Sequence, residues 1–148
     1  RHAEEGESIR RELLRLVDED TRAFDRIMAA FGLPKGTEEE QAARKEAIAE
    51  ATRGAIRAPL ETLRTCVRSM DLMKAMAENG LPASVSDAGV GALCARAGAL
   101  GAYLNVRINC AGLDDAEFND AALKEAEELK RQAEEREAEV MALTLAKI

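Results

Sequence analysis

Apolar residues in the first thirty positions of the chain repeat at the spacing of an α-helix. Their intervals of three, four and seven residues place them along one side of a helix. This pattern predicts a helix from about residue 4 to residue 31. Its expected buried stripe is formed by Leu13, Val17, Phe24, Ile27 and Phe31.

Asp20 falls on the same stripe as these apolar side chains. A carboxylate among apolar neighbours costs free energy unless it is paired or used for chemistry. Asp20 therefore lies at the edge of the stripe, forms an ion pair with an arginine, or belongs to a functional site.

A break at residues 32–36, which contain two glycines and a proline, ends the first helix. Thr37 and Glu40 then fit a capping box, which predicts the start of a second helix. That helix is expected to run to about Asn79. Pro59 lies inside it and should kink or divide it, because proline has no backbone N–H to donate.

The third helical segment is rich in small residues and ends in two amides. It is expected to begin at a cap formed by Ser84 or Ser86 and to reach about Asn109. Glycines in a helix interior cost about 1 kcal/mol each relative to alanine. Such a sequence indicates close approach of neighbouring backbones, with Asn105 and Asn109 placed one turn apart beside it.

The last segment, capped by Asp114 or Asp115, should continue as a helix to about Ile148. Residues 124–139 are dominated by charged side chains, whereas residues 140–148 are apolar again and should dock on the core or on another chain. The whole pattern predicts an all-α bundle of about five helices, kinked at Pro59, in a single domain over residues 1–148.

Composition and charge narrow the possible functions. The 148 residues are 47% hydrophobic, 33% charged and only 3% aromatic, which is typical of a globular helical protein. A net charge of −7 argues against nucleic acid as a partner, and no apolar run is long enough to span a membrane.

The three cysteines have no metal-ligand spacing, and His2 is the only histidine. We therefore expect no metal site, a cytoplasmic location with reduced thiols, and no catalytic Ser-His or Cys-His pair.

Four stretches of the chain resemble, in their order and spacing, the cyclodeaminase/cyclohydrolase family. This family includes the cyclodeaminase domain of formiminotransferase-cyclodeaminase and bacterial methenyltetrahydrofolate cyclohydrolases. Members begin with a further helical segment that contains a glycine-rich turn, and nothing before Glu4 resembles it. We therefore expect the chain to be N-terminally incomplete relative to the family. The four matching stretches are residues 16–24, residues 33–40 with Arg44, residues 58–60, and Ser86-Asp87 with residues 101–109.

The resemblance implies one-carbon chemistry on tetrahydrofolate. Either 5,10-methenyltetrahydrofolate is hydrolysed to 10-formyltetrahydrofolate, or 5-formiminotetrahydrofolate is cyclised with loss of ammonia. Both reactions need proton transfer, and tetrahydrofolate is the substrate carrier with no further cofactor. With histidine almost absent, the candidate catalytic residues are Asp20 and Asp87, with Lys35 as a possible third.

Four further residues are candidates for substrate binding. Asn105 and Asn109 could contact the edge of a pterin ring, or could instead cap neighbouring helix ends. Arg44 could hold a folate carboxylate, but it could equally be a surface residue. Ser86 is a candidate because it stands beside Asp87. Asp87 itself has an alternative explanation, since an acidic residue in the first turn of a helix is favoured by the helix dipole. Asp87 and Asn105 lie 18 residues apart, which is about 27 Å along one helix, so both can serve one site only through a long ligand or a dimer.

A homodimer is the expected assembly, because the small-residue helix and the apolar C-terminus suit a two-fold contact. The alternative to an enzyme is a non-catalytic folate-binding or structural helical module that dimerises. A weaker alternative is an interaction domain that recruits a partner through its charged last helix.

Overall fold

The computed structural model describes residues 2–148, and its regular structure is helical throughout. Within this range there are four α-helices and one short 3-10 turn, Pro82–Ser84. The bounds match the sequence prediction to within a few residues. The α-helices are α1, His2–Phe31; α2, Glu38–Asn79; α3, Val85–Cys110; and α4, Ala116–Leu145.

Two of the predicted helix starts are confirmed by their hydrogen bonds. The Thr37 hydroxyl accepts from the Glu40 N–H at 3.1 Å, and the Glu40 carboxylate accepts from the Thr37 N–H at 3.2 Å. At α4 the Asp115 carboxylate accepts from the Phe118 N–H at 3.2 Å and from Arg53 at 3.0 Å. These two bonds, that of Phe118 first, lower the pKa of Asp115.

Of the two predicted caps of α3, Ser84 occupies the N-cap position and Ser86 lies inside the helix. The side chain of Ser84 nevertheless makes no capping hydrogen bond. The reason is the 3-10 turn Pro82–Ser84, which leads the backbone directly into α3. Turn geometry therefore replaces a side-chain cap at this junction.

Pro59 does not divide the second helix, so the expected count of about five helices is one too many for residues 2–148. The 42-residue α2 continues through Pro59, which lies on its buried side with Ala55 and Ala58. Packing on this side holds the helix together although one backbone hydrogen bond is lost. Tertiary contacts thus outweigh a local helix breaker.

Three of the helices form the compact part of the molecule. Helices α2, α3 and α4 each pack against the other two, whereas α1 packs against α2 alone among the described elements. The core where the three helices meet contains the fully buried side chains of Ile56, Leu63, Met70 and Val106. Burial of such side chains contributes roughly 1.5–3 kcal/mol each.

The predicted buried stripe of α1 is wrong in its position. Instead, the buried residues of α1 recur every seven positions and are alanine or aliphatic. Through them α1 packs against α2. They are Ile9, Leu16, Ala23 and Ala30. Val17, Phe24 and Phe31 are 65%, 61% and 52% exposed, and only Leu13 and Ile27 are half-buried. With a single neighbouring helix, α1 leaves its most apolar side uncovered.

Helix α4 docks on α2 through charges as well as alanines, although its sequence suggests a solvated surface. Arg64 of α2 binds Glu125 at 2.6 Å, and Arg136 of α4 binds Asp71 at 2.7 Å. The Tyr103 hydroxyl of α3 donates to Glu127 at 2.5 Å, which is the largest cause of the lowered pKa of that carboxylate. Helix α4 is thus part of the bundle, which weakens the view that it exists to recruit a partner.

The apolar end of α4 docks on the core in part, while Leu145 and Ile148 stay exposed. Val140 is fully buried, and Lys147 donates to the carbonyls of Ala77 and Glu78 at 2.6 and 2.7 Å. This lysine satisfies carbonyl groups at the C-terminal end of α2. Within residues 2–148 no helix is long and apolar enough to cross a membrane.

Candidate functional site

A groove of about 320 Å³ lies between α1, α2 and α3. Because α1 and α3 both pack against α2 but not against each other, a channel remains between them. Asp20 of α1 and Asn105 of α3, which are far apart in sequence, both line it. The other lining residues are Leu13, Leu16, Val17, Thr21, Pro59, Thr62, Gly98, Gly101 and Ala102.

The α3 wall of this groove consists of small residues. A Cβ atom at Gly98 would lie 3.2 Å from Cys66 Sγ, so this glycine permits close packing of α3 on α2. Gly89 and Gly91 likewise face nearby side chains of Thr144 and Met73. These three glycines make room for side chains of the neighbouring helices, rather than for the close backbone contact that the sequence predicted.

Gly101 differs from the other glycines of α3. A Cβ atom placed there would meet no heavy atom of the described chain within 4 Å. Nothing inside residues 2–148 therefore requires a glycine at this position, although alanine would stabilise the helix by about 1 kcal/mol. The space over Gly101 is left open at the groove.

Asp20 is exposed at the groove, which excludes the interpretation of a buried carboxylate. No ion pair of Asp20 occurs among residues 2–148, so it is not held by an arginine there. Two threonines that the sequence did not single out stand in the same groove. The hydroxyls of Thr21 and Thr62 each donate to a carbonyl of their own helix at 3.1 Å, which leaves their lone pairs free to accept.

Lys35 and Arg44 lie together in a different place. They line a separate depression of about 430 Å³ beside the loop between α1 and α2, together with Lys45. Arg44 already donates to the Phe31 carbonyl at 3.1 Å and stacks over the Phe31 ring at 5.5 Å. It thereby caps the C-terminal end of α1.

Ser86 and Asp87 form a third location. Both are exposed in the first turn of α3, whereas Asn105 lies near its other end. Since α3 is one continuous helix, the predicted separation of about 27 Å between Asp87 and Asn105 stands. The structure therefore places Asp20 and Asn105 in one groove, and Lys35 and Arg44 in one separate depression. No third predicted site residue lines either place.

Asn109, the remaining predicted binding residue, has a structural partner. Its side-chain amide donates to the carbonyl oxygen of Ala55 on α2 at 2.8 Å. Asn109 is not among the residues that line the groove. Its predicted contact with substrate stays untested.

A larger cleft contains none of the predicted site residues. This cleft of about 690 Å³ lies on the other side of α1, and its rim arginines are paired with carboxylates. Arg26 binds Glu19 at 2.7 Å and Arg57 binds Glu50 at 3.0 Å. We place the candidate site in the smaller groove because an unpaired carboxylate and an amide are available there for chemistry.

No group of three or more His, Cys, Asp or Glu side chains that could hold a metal ion occurs in the described part of the chain. The three cysteines are free thiols, and burial raises the pKa of Cys66 and of Cys110. Cys94 is exposed on α3.

The helical fold and the groove can now be compared with known proteins. A family model described as formiminotransferase-cyclodeaminase matches residues 1–128. The chain belongs to this family.

Two relatives and one solved structure show how close the similarity is. The methenyltetrahydrofolate cyclohydrolase of Methylorubrum extorquens is 45% identical over 130 residues, which are 88% of this chain and 62% of the relative. The formimidoyltransferase-cyclodeaminase of Gallus gallus is 36% identical over 133 residues, 89% of this chain and 24% of that protein. The crystal structure of the formiminotetrahydrofolate cyclodeaminase from Thermotoga maritima superposes with a TM-score of 0.81 at 26% identity, over 95% of this chain and 66% of that one. The chain thus spans about three fifths of the first relative and about a quarter of the second.

Proposed function

We propose that this chain carries out one-carbon chemistry on a tetrahydrofolate derivative. The observation that carries the proposal is the 45% identity to a methenyltetrahydrofolate cyclohydrolase over 88% of the chain. Similarity to cyclodeaminases in both sequence and structure supports the same substrate class. The higher identity to the cyclohydrolase favours hydrolysis of 5,10-methenyltetrahydrofolate over cyclisation of 5-formiminotetrahydrofolate.

The groove supplies groups that suit this reaction. The methenyl carbon lies between two nitrogens that share a positive charge, and an exposed, unpaired carboxylate such as Asp20 attracts it. Asp20 takes one proton from the attacking water as the oxygen bonds to this carbon, and later releases it to solvent. As the C–N5 bond breaks and the C=O of the formyl group forms, the remaining hydroxyl proton passes to N5. Asn105, on the opposite wall, offers both a donor and an acceptor to the pterin ring.

The other predicted residues have supporting parts in this proposal. Lys35, with Arg44 beside it, presents positive charge outside the groove and suits the carboxylates of a folate tail or a proton transfer. Ser86 and Asp87 reach the reacting carbon only from a second copy of the chain or along an extended ligand. These roles are predictions for each residue.

The reaction is tested by adding 5,10-methenyltetrahydrofolate and following the loss of its absorbance. We expect turnover well above the buffer rate. A parallel assay with 5-formiminotetrahydrofolate and ammonia detection separates the two enzymes. Binding of folate without turnover in either assay would contradict catalysis by this chain and leave the non-catalytic folate-binding module.

We further propose that the chain forms a homodimer through the uncovered side of α1 and the neighbouring side of α3. Large apolar side chains stay exposed on both helices, which is unusual for a monomer. On α1 they are Leu14, Val17, Phe24, Met28 and Phe31, and on α3 they are Val90, Leu93, Leu104 and Ile108. A two-fold contact would cover both sets at once.

The substitution Phe24→Asp tests this dimer. It places a charge in the centre of the proposed contact, so we expect association to weaken at least tenfold, because a buried charge without a partner is costly. Light scattering after size exclusion, over a dilution series, gives the mass. The control is Leu81→Asp, at an apolar residue that is 75% exposed and lies outside both helices of the proposed contact. A wild-type mass of one chain at every concentration, or an unchanged mass in Phe24→Asp, would contradict the proposed contact.

A further inference from the structure

The backbone of α2 has a gap in its hydrogen bonds beside the groove. In a regular helix the N–H of residue 59 donates to the carbonyl of residue 55, but Pro59 has no N–H. Ala55 and Pro59 are both buried, so water cannot replace the missing donor freely. A buried carbonyl without a partner destabilises the fold.

The partner comes from α3. Asn109 Nδ2 donates to the Ala55 carbonyl oxygen at 2.8 Å, in a partly buried contact between residues 54 positions apart. Asn109 thus takes the place that the missing N–H of Pro59 would have filled. The bond joins two helices, whereas an ordinary helix bond joins two turns of the same helix.

We propose that Asn109 is a positioning residue that sets the register of α3 on α2 and so holds Asn105 over Pro59 in the groove. Asn105 lies four residues before Asn109, about 6 Å along the axis of α3. Both Asn105 and Pro59 line the groove. The catalytic consequence of this register rests on the proposed function, but the register itself does not.

A directional bond adds to the register here because α3 packs beside the groove through small residues, although Val106 further along α3 is fully buried in the core. The side of α3 that meets α2 carries Gly98, Ala99 and Ala102 near the groove, and such small residues define the position along the axis weakly. A directional hydrogen bond, in contrast, forms at only one position of α3 along α2. A single buried amide is known to fix register between helices in this way.

The first test is a double-mutant cycle of Pro59→Ala and Asn109→Ala, measured by chemical denaturation. Asn109→Ala alone should lower the folding equilibrium constant about tenfold, because the Ala55 carbonyl loses the donor that replaces the missing N–H of Pro59. In the Pro59→Ala background a backbone N–H is restored, and the same change should cost less than about threefold. An equal loss in both backgrounds, or failure of both Asn109→Ala proteins to fold, would overturn the proposal.

The second test separates positioning from mere satisfaction of the carbonyl. In the double variant the carbonyl is satisfied within α2, but the bond between the helices is absent. We therefore expect its stability to recover while kcat/KM for 5,10-methenyltetrahydrofolate stays roughly 10- to 100-fold low, mainly through KM. Recovery of kcat/KM together with stability would show that Asn109 only satisfies the carbonyl.

A readout without substrate keeps this inference distinct from the proposed function. The side-chain amide signals of Asn105 in a ¹H–¹⁵N spectrum report its surroundings directly. We expect them to shift in Asn109→Ala and to remain shifted in the double variant. Unchanged Asn105 signals in both proteins would overturn the positioning role, whether or not the chain turns over folate.

Discussion

Replacing Asp20 with Asn should lower kcat for 5,10-methenyltetrahydrofolate by about 10²- to 10⁴-fold, the usual contribution of a general base. Asparagine keeps the size and polarity of the side chain but cannot take a proton from water at neutral pH. Since Asp20 is exposed and has no ion pair among residues 2–148, its loss should leave the stability of the fold unchanged. The measurement is steady-state kinetics alongside a denaturation curve.

The matched control for this prediction is Asp25→Asn. Asp25 is also exposed on α1, but it does not line the groove. It should retain the wild-type kcat. If Asp20→Asn kept full activity, or if both variants lost activity equally, the carboxylate at the groove would not be the base, and Asp87 and Lys35 would become the remaining candidates.

Replacing Gly101 with Leu should reduce kcat/KM at least a hundredfold without destabilising the protein. The new side chain would project into the open space over Gly101 and occupy a large part of the 320 Å³ groove. Leucine is also a better helix former than glycine by nearly 1 kcal/mol, so the free energy of unfolding should rise slightly. Loss of function with gain of stability is a combination that simple misfolding cannot produce.

Ala97→Leu is the control for Gly101→Leu. Ala97 lies one turn earlier on α3 and is exposed, but it is not part of the groove wall. Its substitution should leave kcat/KM within about threefold of the wild type. Normal activity in Gly101→Leu would show that no substrate passes over this glycine.

The sequence predicts the helices well because their ends are marked by local chemistry. Thr37 and Glu40 form the capping box that their spacing indicates, and Asp115, one of the two predicted caps of α4, accepts from the Phe118 N–H. Such signals depend only on residues a few positions apart. Of the two outcomes expected at Pro59, division is wrong, because the burial of Pro59, which no local pattern shows, keeps α2 one helix, and the kink stays a prediction.

The buried side of α1 could not be predicted for a related reason. Periodicity identifies the apolar side of a helix, but it does not indicate which other surface packs against that side. Val17, Phe24 and Phe31 form the more apolar side, yet α1 rests on α2 through Leu16, Ala23 and other slender side chains. We attribute the difference to a contact outside the single chain, which the proposed dimer would provide.

The candidate site was predictable in part. Asp20 and Asn105 were singled out as a misplaced carboxylate and a terminal amide, and the structure brings them into one groove. Asn109 looked equivalent to Asn105, but its bond to Ala55 depends on a proline 50 residues earlier. Its partner is therefore visible only in three dimensions. The cytoplasmic location stays a prediction from the cysteine pattern.

The most direct test is to titrate a stable reduced folate, 5-formyltetrahydrofolate, into the ¹⁵N-labelled chain and map the amide signals that move. If the groove between α1, α2 and α3 binds the pterin, the largest shifts fall at Asp20, Thr21, Gly98, Gly101 and Asn105. Shifts concentrated in the larger cleft at Glu19, Gly54 and Arg57, or no shifts at millimolar ligand, would contradict the assignment of this groove.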